Sequence, residues 1–324
     1  ALRLAPLRAA VASVLGPGAT ADDVALVANT TQGLGLVAAG LDWRPGDRVL
    51  VPAGDHPTTV LPWRAQEHRG VTVTPVPVPA GTTVGAALAE ALAATGGVRV
   101  VALSWVQAGD GERTDLAALA TAAHDAGALL CVDAIQGAGV VPADLFGWGV
   151  DAVAAGAQKW LLGPHGIGAL AVTPTLRERL ALVTASKGSL AGGVDGGPLV
   201  PIGTAARFEA GAPAHTAVAG WAAALGLLAE AGVADVWRWV DRLAGRLADG
   251  CADLGLAVLS PRAPDTRSAL VTVAVPGLDA EAVVTRLAAA GVVVSARGGG
   301  VRLSPAGWND DTDVDAALAA LAAL

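Results

Sequence analysis

Short uninterrupted apolar runs alternate with longer Ala- and Leu-rich stretches through the first two-thirds of the chain. Runs at 48–52, 71–76, 98–104, 128–132, 151–155 and 167–172 predict strands, and stretches at 58–69, 84–94, 116–126 and 175–182 predict helices. Strands of this length spaced by helices of about ten residues read as βαβ units in a mostly parallel sheet. The runs do not alternate apolar with polar, which fits a sheet covered by helices on both faces. From 182 to 209 the pattern dissolves into Gly, Ser and Pro, including Gly192-Gly193-Val194-Asp195-Gly196-Gly197, the mark of a long functional loop. Helices are predicted at 215–231 and 233–254, and a first helix near 2–15. The tail then changes character: strands at 256–259, 270–275, 292–295 and 300–303, a helix at 279–290, and a last helix from Asp310. The division expected is a large α/β domain over 1–231 and a smaller α+β domain over 232–324. No repeat of fixed period is visible.

Composition narrows the class. A net charge of -8 leaves no basic face to neutralise phosphates, so a nucleic-acid binder is not expected. The longest uncharged stretch, about 210–229, is broken by Pro213, His215 and Gly220, and reads as a packed helix and not a membrane span. Cys131 and Cys251, the two cysteines, make no disulfide framework, so a reducing cytoplasm is expected. The opening Ala-Leu-Arg-Leu-Ala-Pro lacks a signal-peptide core, and without an initiating Met the start is expected to be processed, trimmed or unseen. Of 21 basic residues only Lys159 and Lys187 are lysines. A lysine retained against so strong an arginine preference invites a chemical explanation.

Three strand ends carry candidate chemistry. Val24–Ala28 runs into Asn29-Thr30-Thr31-Gln32-Gly33, where amides and hydroxyls at a helix start could cradle phosphate. Taken alone this fits an ordinary N-cap better. Gly33-Leu34-Gly35-Leu36-Val37-Ala38 also spells a dinucleotide-binding pattern, with Asp47 and Asp55 beyond, but among 42 glycines chance accounts for it. Leu129–Val132 ends in Asp133, a carboxylate aimed at the crevice where α/β sheets bind ligands, or else a cap for the next turn. A buried Asp needs a cationic or donor partner. A further strand ends at Gly156-Ala157-Gln158-Lys159, and a nucleophilic lysine needs burial or a nearby positive charge to lose its proton. Metal chemistry is not expected: the five histidines are scattered, without zinc spacing.

In chain order these segments resemble the class V aminotransferase family of fold-type I pyridoxal-phosphate (PLP) enzymes, which includes cysteine desulfurases and isopenicillin-N-epimerase-like proteins. The resemblance rests on Asn29-Thr30-Thr31-Gln32-Gly33, on Asp55-His56-Pro57-Thr58-Thr59-Val60-Leu61-Pro62-Trp63, and on Ser104-Trp105-Val106-Gln107. It continues through Val132-Asp133-Ala134-Ile135-Gln136-Gly137 and Gln158-Lys159-Trp160-Leu161-Leu162-Gly163-Pro164-His165-Gly166. Arg207-Phe208-Glu209-Ala210-Gly211-Ala212-Pro213, and Val301-Arg302-Leu303-Ser304-Pro305 before Trp308-Asn309, close it.

The resemblance implies a seven-stranded sheet sandwiched by helices, with a small C-terminal domain. It implies that Lys159 carries PLP as a Schiff base and then acts as base at Cα, that Asp133 pairs with the ring nitrogen, and that Gln136 bonds the phenolic oxygen. His56 would stack on the ring, Thr30, Thr31 and Gln158 would hold the phosphate, and Arg302, or secondarily Arg297, would grip a substrate carboxylate. Gly156, Gln158 and Ala212 stand where the family has Ser, His and Thr on the phosphate, so a looser grip is expected. Only Gly298, Gly299, Gly300 and Val301 separate Arg297 from Arg302, where a desulfurase has a longer loop with its catalytic cysteine, so persulfide chemistry is not expected. Family members also begin several dozen residues earlier. The activity implied is that of an aminotransferase or C–S/β-lyase on an amino acid, in a homodimer. An epimerase of the same family and a non-catalytic fold-type I scaffold are the alternatives.

Overall fold

A computed structural model describes residues 4–193 and 195–324; Leu2 and Arg3 of the expected first helix and Val194 of the expected loop lie outside the described residues. The chain divides into two units, the first formed by 1–105 and 115–231, the second by 106–114 and 232–324.

In the first unit α1 (Leu4–Leu15) precedes β1 (Val24–Val27), α2 (Thr30–Gly40), β2 (Arg48–Pro52), α3 (Pro57–Arg64), β3 (Thr72–Val76), α4 (Val84–Ala94) and β4 (Val98–Ser104). After the excursion at 106–114 come α5 (Leu116–Asp125), β5 (Leu129–Asp133), β6 (Ala152–Gly156), β7 (Gly168–Val172) and α6 (Pro174–Arg179). The seven strands form one sheet in the order β1-β7-β6-β5-β4-β2-β3. Only β7 runs against its neighbours β1 and β6, so the sheet is mixed but mostly parallel. Strands β5, β6 and β7 are buried at every residue, as an apolar strand between two helical layers must be.

Side-chain caps define the helix starts. Asn29 accepts from Gln32 N to open α2, Thr83 from Ala86 N to open α4, and Asp115 from Ala118 N to open α5. Helix α3 stops at Arg64, short of the expected 69, and gives way to a 3-10 turn at Glu67–Arg69. The expected loop at 182–209 contains a small hairpin, β8 (Leu190–Gly192) with β9 (Val200–Pro201), before α7 (His215–Ala231). No single helix among the described residues is long and apolar enough to cross a membrane.

The second unit holds α8 (Val233–Asp253), β10 (Ala257–Val258), β11 (Val271–Ala274), α9 (Ala280–Ala289), β12 (Ser295–Arg297), β13 (Gly300–Leu303) and α10 (Asp311–Ala322). Its four strands pair antiparallel in the order β10-β11-β13-β12. Helix α8 turns Val240, Leu243, Leu247 and Cys251 to the core at helical spacing and keeps its Arg and Asp residues outward. The strand expected at 292–295 lies instead at Ser295–Arg297, with Val293 almost fully exposed. Pairing with β13 through the two-residue turn Gly298-Gly299 sets that register, and both glycines have positive φ (58° and 79°) as such a turn requires.

The expected division at 231 and 232 misses one segment. Residues 106–114 belong to the second unit, because Arg113 donates to the carbonyls of Pro264 and Arg267, Thr272 Oγ1 donates to Gly109 O, and Ser268 Oγ donates to Gly111 O.

Within the first unit one ion pair ties α1 to the sheet. Arg8 donates from Nε and Nη2 to both oxygens of Glu209 at 2.9 and 2.8 Å, and Leu26 N of β1 donates to the same carboxylate at 2.9 Å. Both side chains are largely buried. Removing one partner strands the other charge, so Glu209→Ala should lower stability by about 3 kcal/mol. Urea denaturation would register this, and an unchanged midpoint would mean that the pair is solvated.

Candidate active site

The carboxyl ends of β2, β4, β5 and β6 point the same way in a parallel sheet, and each ends in or leads into polar residues. Such a row is where α/β sheets place ligands. Asp133, the last residue of β5, is buried. Its Oδ1 accepts from Ile135 N at 2.9 Å, and Thr59 Oγ1 reaches its Oδ2 at 3.5 Å. Burial pushes its carboxyl up from 3.8 to about 7; the Ile135 amide works against that, Asp55 adds to it, and Lys159 and the Thr59 hydroxyl oppose it. A buried carboxylate in this condition is a receptor for a positively charged donor.

Lys159 follows β6, and its side chain is exposed. It lies near enough to Asp133 for its charge to act there. The turn carrying it is held by Leu162 N donating to Lys159 O at 3.0 Å and Gly163 N to Ala157 O at 2.8 Å. Leu162 takes φ 56°, the one positive φ outside glycine among the described residues. Backbone held in that region costs roughly 1–2 kcal/mol for a side-chain-bearing residue, and such strain gathers at functional sites.

Gln136 is buried; its Oε1 accepts from Trp160 Nε1 at 3.3 Å, while its Nε2 is buried with no partner. A buried amide donor left open costs about 1–3 kcal/mol unless something fills it. His56 caps α3, its Nδ1 accepting from Thr58 N at 3.2 Å, which leaves the ring proton on Nε2. Thr31 Oγ1 and Thr58 Oγ1 are 3.2 Å apart, so the start of α2 meets the start of α3. Thr30 Oγ1 accepts from Gly156 N at 2.9 Å and pins α2 to the end of β6. A Cβ on Gly156 would lie 2.4 Å from Gln158 Oε1, so the Gln158 amide occupies the space a side chain at 156 would take. Ala212 lines a cavity of about 200 Å³ with Val27, Ala28, Gln32, Gly166 and Glu209.

Hydrogen bonds and charge thus gather Thr30, Thr31, His56, Asp133, Gln136, Gln158 and Lys159 along one sheet end of the first unit. Arg302 and Arg297 belong to the second unit. There Arg302 Nη1 donates to Ala108 O and its Nε is buried without a partner, while Arg297 Nη1 donates to Ala296 O. The dinucleotide reading fails: Gly33 and Gly35 sit inside α2 and not in the turn before it, and Gly33 serves packing, since a Cβ there would meet Ala154 Cβ at 2.8 Å. Among the described residues no cluster of His, Cys, Asp and Glu could hold a metal.

Sequence reading quoted Asp55, Thr59 and Ser104 within its motifs but gave none of them a role in the site. All three are buried; Ser104 donates to Asp55 from N at 2.8 Å and from Oγ at 2.6 Å, and Thr59 Oγ1 lies 3.1 Å from Ser104 Oγ. For Ser104 the available signal was the one that marked Asp133: a polar residue at the carboxyl end of an apolar strand.

Comparison with known proteins finds relatives along most of the chain. The profile of the family described as Aminotransferase class-V matches residues 3–306. A probable cysteine desulfurase of Methanothermobacter thermautotrophicus is 31% identical over 60% of this chain and 48% of its own length. An uncharacterized aminotransferase, YcbU, of Bacillus subtilis is 31% identical over 74% of this chain and 63% of its own. The chain therefore spans about half to two-thirds of these curated relatives. Among solved structures, the apo cysteine desulfurase of Thermococcus onnurineus superposes with a TM-score of 0.88 at 25% identity, covering 98% of this chain and 82% of that one. The cystine C–S lyase C-DES, in complex with its reaction product cysteine persulfide, gives 0.89 at 26% identity, covering 98% and 86%.

The state of Asp133 makes stability depend on pH. Its folded value lies above the ordinary 3.8, so its contribution is full below about pH 4 and is lost as pH rises through about 7. The loss is on the order of 4 kcal/mol. Urea denaturation of cofactor-free protein should show lower stability at pH 8 than at pH 5, and Asp133→Asn should remove most of that difference.

Proposed function

This chain belongs to the class-V aminotransferase family, whose cofactor is pyridoxal phosphate, and from that premise we propose that it works at the Cα of an amino acid, as an aminotransferase or a C–S/β-lyase. The observation that carries the reading is the buried pair at the end of β5: a carboxylate raised by burial, with Lys159 near, and an open amide donor at Gln136. Both fit the cofactor. The ring nitrogen of PLP offers Asp133 the cationic donor it lacks, and the phenolic oxygen offers Gln136 Nε2 an acceptor.

When bound, PLP supplies an electron sink for the charge that develops when Cα loses its proton. The protein's residues do the rest. Asp133 keeps a proton at the ring nitrogen, Gln136 Nε2 orients the phenolic oxygen, and His56 presents a ring face. Thr30, Thr31 and Gln158 hold the phosphate beside the start of α2, where the helix end favours anions. Lys159 Nζ anchors the cofactor and takes and returns the proton at Cα. Arg302 binds the substrate carboxylate, a bidentate task suited to guanidinium.

The cysteines argue for this chemistry over persulfide transfer. Cys131 and Cys251 are both buried. Burial pushes the Cys131 thiol up, with Asp151 adding to it, and pushes Cys251 up to about 11. Neither provides the accessible thiolate that attacks sulfur. A homodimer is proposed by analogy with the fold, and light scattering tests it.

Protein supplied with PLP should turn yellow, and borohydride should fix the cofactor covalently to a peptide containing Lys159. Lys159→Ala should abolish both the fixation and turnover; retention of activity would overturn the assignment. Arg302→Ala should raise KM for amino-acid substrates by ten-fold or more, about the 1.4 kcal/mol or more lost with a charged hydrogen bond, and leave cofactor fixation intact.

A further inference from the structure

Behind Asp133 lies a buried polar chain that the proposed chemistry does not use directly. Asp55 follows β2, Ser104 ends β4, and Thr59 sits in the first turn of α3. All three are buried, Thr59 completely. Three donors converge on the Asp55 carboxylate: Ser104 N on Oδ2 at 2.8 Å, with Ser104 Oγ and His56 N on Oδ1, each at 2.6 Å. Both oxygens therefore accept, and an amide in this place would turn its NH2 towards at least one of these donors.

That arrangement commits protons along the chain. Ser104 Oγ gives its one proton to Asp55, so towards Thr59, at 3.1 Å, it can only accept. Thr59 has one hydroxyl proton and two acceptors within reach, Ser104 Oγ at 3.1 Å and Asp133 Oδ2 at 3.5 Å. The nearer wins more of it. Asp55 therefore draws the Thr59 proton away from Asp133, while its own negative charge reaches Asp133 through the buried interior.

We propose that Asp55 is a positioning residue for Asp133, acting through the hydroxyls of Ser104 and Thr59 to keep that carboxylate basic and turned towards a cationic partner. The role rests on the reading of Asp133 as the partner of the ring nitrogen. The charges that face Asp133 are Asp55, which raises its proton affinity, and Lys159, which lowers it; the Ile135 amide and the Thr59 hydroxyl also lower it. Two substitutions then have opposite signs. Asp55→Asn removes the negative charge, and that weakens Asp133 as a base. Thr59→Val removes a donor and strengthens it.

The test is a carbon-13 NMR titration of aspartate carboxyls in the full-length, cofactor-free protein, with the Asp133 signal identified by its loss in Asp133→Asn. Asp55→Asn should move the Asp133 midpoint down by about one pH unit, and Thr59→Val should move it up. Midpoints that stay put, or that move in the same direction, overturn the proposal. Where Asp55→Asn does not fold, Ser104→Ala decides: it leaves the Thr59 proton no acceptor but Asp133, so a downward shift supports the relay and an unchanged midpoint sinks it. Adding PLP then separates the two readings. Opposite shifts in a protein that never binds PLP leave the relay standing and remove the cofactor assignment. Covalent fixation at Lys159 with unmoved midpoints does the reverse.

Discussion

A carboxylate held away from water at the end of a parallel strand is the constraint around which the first unit is arranged. Asp133 cannot be solvated where it lies, so the groups that meet it must come from the chain or from a ligand. The strands on either side of it supply the chain's share because parallel pairing brings their polar ends to the same level: Ser104 stands opposite Asp133 in the β4–β5 register. The apolar bodies of those strands, buried on both faces, make the interior in which the charge acts at short range and with little screening.

Two carboxylates share this interior, and their surroundings divide the roles. Asp55 is saturated, with three donors on two oxygens, whereas Asp133 has one firm backbone donor and one distant hydroxyl. Divergent environments for neighbouring acids are how one fold keeps one group structural and the other reactive. The open Gln136 amide and the strained backbone at Leu162 lie on the same margin. Departures from local preference are thus gathered where chemistry would justify them.

Much of the architecture was legible in the sequence. Strand β4 and helices α4 and α7 have the bounds the apolar pattern gives, since an unbroken apolar strand or an Ala/Leu stretch between caps leaves little choice. The strand at Ser295–Arg297 was misplaced because a run of three valines looks like a strand, while register is set by β13 and a Gly-Gly turn that periodicity does not see. Asp133 and Lys159 were visible as polar residues at strand ends. The charge linking them depends on β5 pairing with β6, and no local pattern carries that. Asp55, Thr59 and Ser104 were given no role for the same reason: 45 residues separate Thr59 from Ser104, and only the sheet order joins them.

The excursion at 106–114 has a consequence for the way this protein is made. Those residues leave the ribosome long before their partners: Asp110 must wait for Ser260, 150 residues later. At 5–20 residues per second that is a delay of roughly 8–30 s. The first unit's strands β4 and β5, which flank the segment, can pair during that interval with the segment looped out between them. The smaller unit therefore cannot be completed in isolation from the larger one's synthesis. Its earliest-made piece is joined at its two ends to β4 and α5 of the first unit while the rest of it is still to be synthesised.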